Sequence, residues 1–233
     1  MARAGCLILL LSALAGCAGA QRSPATPADG DPALGDEAAD NIKRGEEALK
    51  ARDFEGAKKI FAETLASDPQ HPKANHYLGV ALEGLGDKAG AEKQYRAALA
   101  HDPALGESAV NLSAMLVDAE RYDDATAVLE PAVQKNPRDP LLRTNLAYAR
   151  VGKGDVEGAV AAFQAALALE DRPEIRIRFA EVLIGADRIE QGVAEANKAM
   201  ASAPAQVQIL ATVADLLRQA RKFSDCVAVL DKA

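Results

Sequence analysis

The chain has 233 residues, enough for one large domain or a short solenoid. It is alanine-rich, carries 4% aromatic residues and no tryptophan, which favours packed helices over a β-sandwich. Its formal net charge of −7, with no local Lys/Arg cluster, repels phosphate backbones and argues against nucleic acid as a partner.

Residues 1–16 read as a signal peptide. Arg3 supplies the positive start, and Cys6 to Leu14 is an apolar run. A bilayer span needs about 20 residues, so this run is too short to cross. Leu14-Ala15-Gly16-Cys17 follows, and it resembles the bacterial lipobox. The resemblance implies acylation of Cys17, which becomes the mature N-terminus. The competing reading is an ordinary cut at Ala13-Leu14-Ala15, which leaves Cys17 without a role. By resemblance to Gram-negative lipoproteins, Ala18 lacks the aspartate of inner-membrane retention. The implied address is the outer membrane, facing the periplasm, with the inner membrane as the alternative.

Residues 17–37 comprise this cysteine and a tether rich in Ala, Gly, Pro and Asp. Such a composition buries too little apolar surface to fold. As a flexible coil it reaches about 25 Å from the lipid.

From residue 38 onward the chain repeats at a period near 34. The units are 38–71, 72–105, 106–139, 140–172, 173–206 and 207–233. Unit 72–105 carries Leu78-Gly79, Leu82, Gly86, Ala91, Tyr95, Ala98 and Pro103. These residues resemble the tetratricopeptide repeat signature. The eighth position of each unit is small: Gly45, Gly79, Ser113, Ala147, Ala180 and Ala214. So is the twentieth: Ala57, Ala91, Ala125, Ala159, Gly192 and Cys226. Small side chains at a fixed offset let two antiparallel helices approach closely. The twenty-fourth position supplies the knob, as Phe61, Tyr95, Leu129, Phe163 and Leu230, with Ala196 as the exception. Pro69, Pro103, Pro137 and Pro204 close the second helix; repeat four has Asp171 there and is one residue short. The expected fold is an all-α, right-handed α-solenoid of six helix-turn-helix units. Cys226, in a small-residue slot, is expected to be a buried core thiol.

Some positions depart from the pattern. Arg44 and Arg150 stand where apolar residues are usual, and their stems are expected to pack while their heads reach water. Pro131 falls inside a second helix and is expected to kink it. The resemblance also implies a polar capping helix after the last unit. The sequence ends at Ala233 before one, so either a partner covers that end or the sequence is incomplete.

No H-E-x-x-H, G-x-S-x-G, phosphate loop or zinc-spaced cysteine pair is present, so no catalytic residue, metal, cofactor or small-molecule substrate is expected. His71 and His101 fall at inter-repeat loops and His76 on a first helix, without a ligand-spaced cluster. The asparagine of Asn111-Leu112-Ser113 occupies a position where the repeat consensus itself favours Asn.

Solenoids bind partners on the concave face. The resemblance implies that positions 2, 5, 9 and 12 of each first helix line it. The candidate groove residues are therefore Val80, Val110, Ala114, Val117, Leu141, Tyr148, Val151 and Ile177. An apolar groove suits an amphipathic helix or an extended apolar segment. The competing reading packs some of them against neighbouring repeats. Capture of an acidic C-terminus is rejected, because Ile42 and Glu46 stand where such a clamp needs Lys and Asn.

The architecture as a whole resembles the pilotin lipoproteins of type IV pilus systems. It implies an envelope scaffold that binds proteins, with pilus or secretin assembly as the leading role. An adaptor for peptidoglycan hydrolases and an accessory subunit of an envelope protease are the alternatives.

Overall fold

The computed structural model of the protein describes residues 32–204 and 206–222. Cys17, most of the tether, and the second helix of repeat six with Cys226 and Leu230 lie outside the described residues. Those described form eleven α-helices and no strand. The first helices of the units are α1 (Pro32–Lys50), α3 (Pro72–Gly84), α5 (Gly106–Asp118), α7 (Pro140–Gly152), α9 (Pro173–Gly185) and α11 (Val207–Gln219). The second helices are α2 (Phe54–Ser67), α4 (Lys88–His101), α6 (Tyr122–Lys135), α8 (Val156–Leu169) and α10 (Ile189–Ser202). From α1 to α9 each first helix pairs with the second helix that follows it, and that helix packs on the first helix of the next unit; α1 with α3, α5 with α7 and α9 with α11 also touch directly. The result is an all-α solenoid.

Helix α1 begins at Pro32, inside the stretch read as tether. Proline suits the first helical position, and the residues behind it include Ala33, Glu37, Ala38 and Ala39, mostly good helix formers. They extend a helix whose packed part begins later, at Ile42 and Gly45. Composition set against the lack of an apolar face hid this extension.

The small-residue slots are where the helices cross. Gly45, Gly79, Ser113, Ala147, Ala180 and Ala214 are all buried, as are Ala57, Ala91, Ala125, Ala159 and Gly192. Phe61, Tyr95, Leu129 and Phe163 are fully buried against them. A Cβ added at Gly45 would lie 2.3 Å from Phe61 Cζ, and one at Gly79 2.6 Å from Tyr95 Cε1. In repeats one and two glycine thus makes room for an aromatic knob, whereas in repeat four Ala147 stands at the corresponding position with Phe163.

Every turn within a unit has one form. The first helix ends in a left-handed residue: Arg52, Gly86, Glu120, Gly154, Asp187 and Arg221, with φ between 57° and 83°. In repeat three the Arg121 amide donates to the Leu116 carbonyl at 2.8 Å and the Glu120 amide to Val117 at 2.9 Å. These are the two bonds of a Schellman motif, and they satisfy carbonyls the helix end leaves open. A non-glycine residue there costs about 1–2 kcal/mol, while glycine costs about 0.5–1 kcal/mol of chain entropy. Glu120→Gly is therefore expected to stabilise the protein by about 0.5–1 kcal/mol. Thermal melting by circular dichroism checks this, and an unchanged or lowered midpoint contradicts it.

Where the residue after the turn is aspartate, its side chain caps the second helix. Asp53, Asp87 and Asp155 accept from the amides of Gly56, Gly90 and Gly158, each at 2.9 Å. Arg121 and Arg188 replace that aspartate and reach back to the preceding unit instead. Arg121 Nη1 meets Glu92 at 2.8 Å and Arg188 Nη1 meets Glu157 at 2.9 Å. Lys153 with Asp123 and Lys222 with Glu190, both at 2.8 Å, continue the row. Such exposed pairs are screened by solvent and add little to stability individually.

Asp171 has a role where the pattern expected proline. Its carboxylate accepts from Arg176 Nε at 2.6 Å and Nη2 at 2.7 Å, and Arg176 also pairs with Glu195 of α10. The shortened loop is thus tied by a guanidinium to both following helices. Pro131 lies within α6, which continues through it. The Ala127 carbonyl has no amide donor there, and both residues border a gap between α4 and α6. Arg150 is held by its polar head: it donates to the Gly158 carbonyl at 3.2 Å and pairs with Glu130 at 3.5 Å. Arg44 is exposed and donates to Asn41 at 3.0 Å.

Candidate functional site

A first helix exposes two kinds of position on its inner side. Position 5 meets the neighbouring units; Ile42, His76, Thr144 and Ile177 there are all buried. Positions 6, 9, 12 and 13, which share one stripe at helical spacing, remain accessible in the central repeats. This stripe forms a cleft of about 270 Å³ lined by Ser113, Ala114, Val117 and Asp118 of α5, Asn145 and Tyr148 of α7, and Arg178 of α9.

Tyr148 is the central aromatic of this cleft. Its ring meets the edge of Phe163 at 5.6 Å, and Phe163 in turn stacks on Phe179 at 5.3 Å. The other side of Tyr148 faces Arg178, whose guanidinium carbon lies 5.7 Å from the ring centroid. Burial pushes the Tyr148 phenol above its ordinary pKa, and Arg178 opposes that shift. Burial also pushes the Glu181 carboxyl up, against the pull of Arg178. Asn145 donates to the Val110 carbonyl and to Ser113 Oγ, both at 3.4 Å, which fixes its amide at the wall.

The groove residues expected from the sequence divide accordingly. Ala114, Val117 and Tyr148 line the cleft. Val80 and Val110 are half-buried against the core of the first repeats, and Val151 against that of repeat four. Leu141 is 51% exposed at the start of α7 and does not line the cleft. Ile177 is 6% exposed and packs in the core of α9–α11, so it presents nothing to a ligand. That assignment is corrected: position 5 is an inter-repeat contact here. Ser113, Asp118, Asn145 and Arg178 were missed. Asn145 and Arg178 occupy position 6, one helical step from position 9, and the recurrence of Asn111 and Asn145 in one register was the available signal.

The histidines have separate local roles. His71 Nδ1 accepts from the Ala74 amide at 3.2 Å and caps α3. His76 is buried, its Nδ1 2.9 Å from Ser108 Oγ, and burial lowers its pKa against the pull of Glu107. His101 lies in the last turn of α4. Among the described residues no group of three or more His, Cys, Asp or Glu could hold a metal ion, and no helix is long and apolar enough to cross a membrane. A second cleft, of about 280 Å³, lies between α4 and α6 and is lined by Leu99, Pro103, Leu112, Val128 and Pro131 among others. Apart from Arg96 its lining residues are apolar, without the converging polar groups of the Tyr148 cleft.

A family model for the tetratricopeptide repeat matches residues 42–105 and 116–173. Protein FlbA of Caulobacter vibrioides is 26% identical over 201 residues, covering 70% of this chain and 33% of that protein. The chain thus spans about a third of the length of that relative. Similar solved structures include TTC0263, a thermophilic TPR protein of Thermus thermophilus, with 26% identity and a TM-score of 0.62 over 77% of this chain and 98% of that one. PilF of Pseudomonas aeruginosa has 22% identity and a TM-score of 0.70 over 84% and 89% of the two chains. MamA of Desulfovibrio magneticus has 22% identity and a TM-score of 0.65 over 75% and 99%.

Proposed function

Since the chain belongs to the tetratricopeptide repeat family, we propose that it is a non-catalytic scaffold of the bacterial envelope that binds a partner protein in its concave cleft. The cleft around Tyr148 is the observation that carries this reading: an aromatic, backed by a rigid ring stack, faces an apolar floor with polar groups at the walls. Anchors of this kind dominate interface energetics. The occupant is an amphipathic or extended apolar segment, with assembly of a pilus or secretin complex as the leading role.

Tyr148→Ala is expected to weaken binding of the partner recovered from envelope about thirtyfold, from a loss of about 2 kcal/mol. Val117→Asp, which places a charge on the apolar floor, should act in the same direction. Lys93→Glu, on exposed α4, is the control and should bind like wild type. If both cleft variants fold and bind normally while the control fails, the partner uses the second-helix side and this reading is wrong.

The anchor is the lipid on Cys17, supported by the Leu14-Ala15-Gly16-Cys17 pattern. Several acyl chains hold a protein stably where one is marginal. Intact mass of the membrane-fraction protein should show a lipid-modified N-terminal cysteine, and Cys17→Ala should release a folded, soluble protein. Recovery of unmodified soluble protein from wild-type cells would refute the anchor.

A further inference from the structure

The acidic side chains of this protein are not neutralised evenly. On the second helices and turns Glu92, Asp123, Glu157 and Glu190 each meet an Arg or Lys of the next unit within 2.9 Å. Arg121 holds the Glu92 carboxyl below its ordinary pKa. The accessible stripe of the first helices differs. In repeats two to five its charged residues are Glu83, Asp118 and Glu181, against Arg178. Among the described residues none of these three carboxylates forms a salt bridge with Lys or Arg. Glu83 instead accepts from the Tyr95 hydroxyl at 2.8 Å. Arg178 acts on Glu181 only at longer range and is engaged with the Tyr148 ring.

We propose that the occupant of the concave cleft is a cationic amphipathic helix, whose apolar stripe packs on Ala114, Val117 and Tyr148 and whose Lys or Arg side chains meet Asp118 and Glu181. The proposal rests on the concave reading and adds the charge and form of the ligand. The form follows from the layout. Tyr148 of α7 stands between α5 and α9: Asp118 of α5 lines the cleft on one side, and on the other Glu181 of α9, beside the lining Arg178, lies close enough to act on the Tyr148 phenol. A helix presents an apolar stripe flanked by polar residues on both sides, which matches three such rows. An extended segment offers two opposed faces and would leave one acidic row unmatched. Potential complementarity of this kind sets orientation and association rate. A second copy of this chain is disfavoured, since its net charge is −7.

The probes are two synthetic amphipathic helices with one Leu stripe, flanked by Lys in one and by Glu in the other. Binding to the full chain is followed by fluorescence anisotropy. The Lys peptide should bind at least about tenfold more tightly than the Glu peptide. The double variant Asp118→Asn with Glu181→Gln, which preserves shape, should weaken it about tenfold and flatten its salt dependence. Glu63→Gln, on exposed α2, should change nothing. Equal binding of the two peptides, a double variant that binds like wild type, or an equal loss in Glu63→Gln overturns the proposal. A dimer in sedimentation that disperses on Tyr148→Ala also overturns it, because the cleft then holds a second copy. If Lys-peptide binding survives Tyr148→Ala, the concave reading itself fails.

Discussion

Replacing Phe163 by alanine is expected to destabilise the protein by about 3–5 kcal/mol and to uncouple its C-terminal repeats. The side chain is fully buried and joins two units, meeting Tyr148 within repeat four and Phe179 at the start of repeat five. Truncation loses the transfer energy of the ring and leaves a cavity in the cluster that holds Ala147, Ala159 and Ala166, small side chains that cannot collapse to fill it. In a solenoid each unit contacts only its neighbours, so a lost joint is not compensated elsewhere. The repeat four–five joint also lacks the closing proline, and its loop depends on the contacts of Arg176 with Asp171 and Glu195. Hydrogen exchange should show α9–α11 opening before α1–α7 in the variant. Partner binding should fall as well, since Tyr148 loses the ring that backs it. A single melting transition at the wild-type temperature would show that Phe163 is not the joint described.

The second large effect is expected at Gly79. The nearest atoms to an added Cβ are Tyr95 Cε1 at 2.6 Å and Cδ1 at 2.8 Å. A ring can yield only if it has somewhere to go, and Tyr95 is fully buried with its hydroxyl bonded to Glu83 and Asn111. Gly79→Val therefore forces α3 and α4 apart, at a cost near the upper end of the usual 1–3 kcal/mol of overpacking, or about 3 kcal/mol. Ala91→Leu should act alike, since Ala91 is fully buried in the same crossing. Wild-type melting by circular dichroism for both variants would mean that these helices do not cross there. Gly79→Val combined with Tyr95→Leu should recover part of the loss, which separates a steric clash from a loss of helix propensity.

Both predictions concern positions that were legible before the fold was known. A crossing that recurs at a fixed offset leaves a small residue at that offset in every unit, and a knob four residues after the second slot. What repeats in space therefore repeats in the sequence. Features that differ between units were harder to read. The left-handed turns at Arg52, Glu120 and Asp187 carry no glycine to announce them, because the two Schellman bonds hold the backbone whatever the side chain is. Asp171 looked like a missing proline, and its partner Arg176 is tied in turn to Glu195, which lies on another helix of the next unit.

By itself, the sequence determined the repeat length, and, in the units whose two helices are both described, the pairing of helices and the close crossings at positions 8 and 20. These are local or periodic properties, set within one unit and copied to the next. Only the tertiary structure decided which first-helix residues line the cleft. Ile177 and Tyr148 stand on the same side of their helices and both read as groove residues, yet one is buried and the other lines the cleft. The difference is set by how closely adjacent units stack. That spacing depends on contacts such as Tyr148–Phe163–Phe179, whose members come from three helices. The gathering of Asp118, Tyr148 and Arg178 around one cleft was decided in the same way, because each belongs to a different repeat and only the packing of α5, α7 and α9 brings them together.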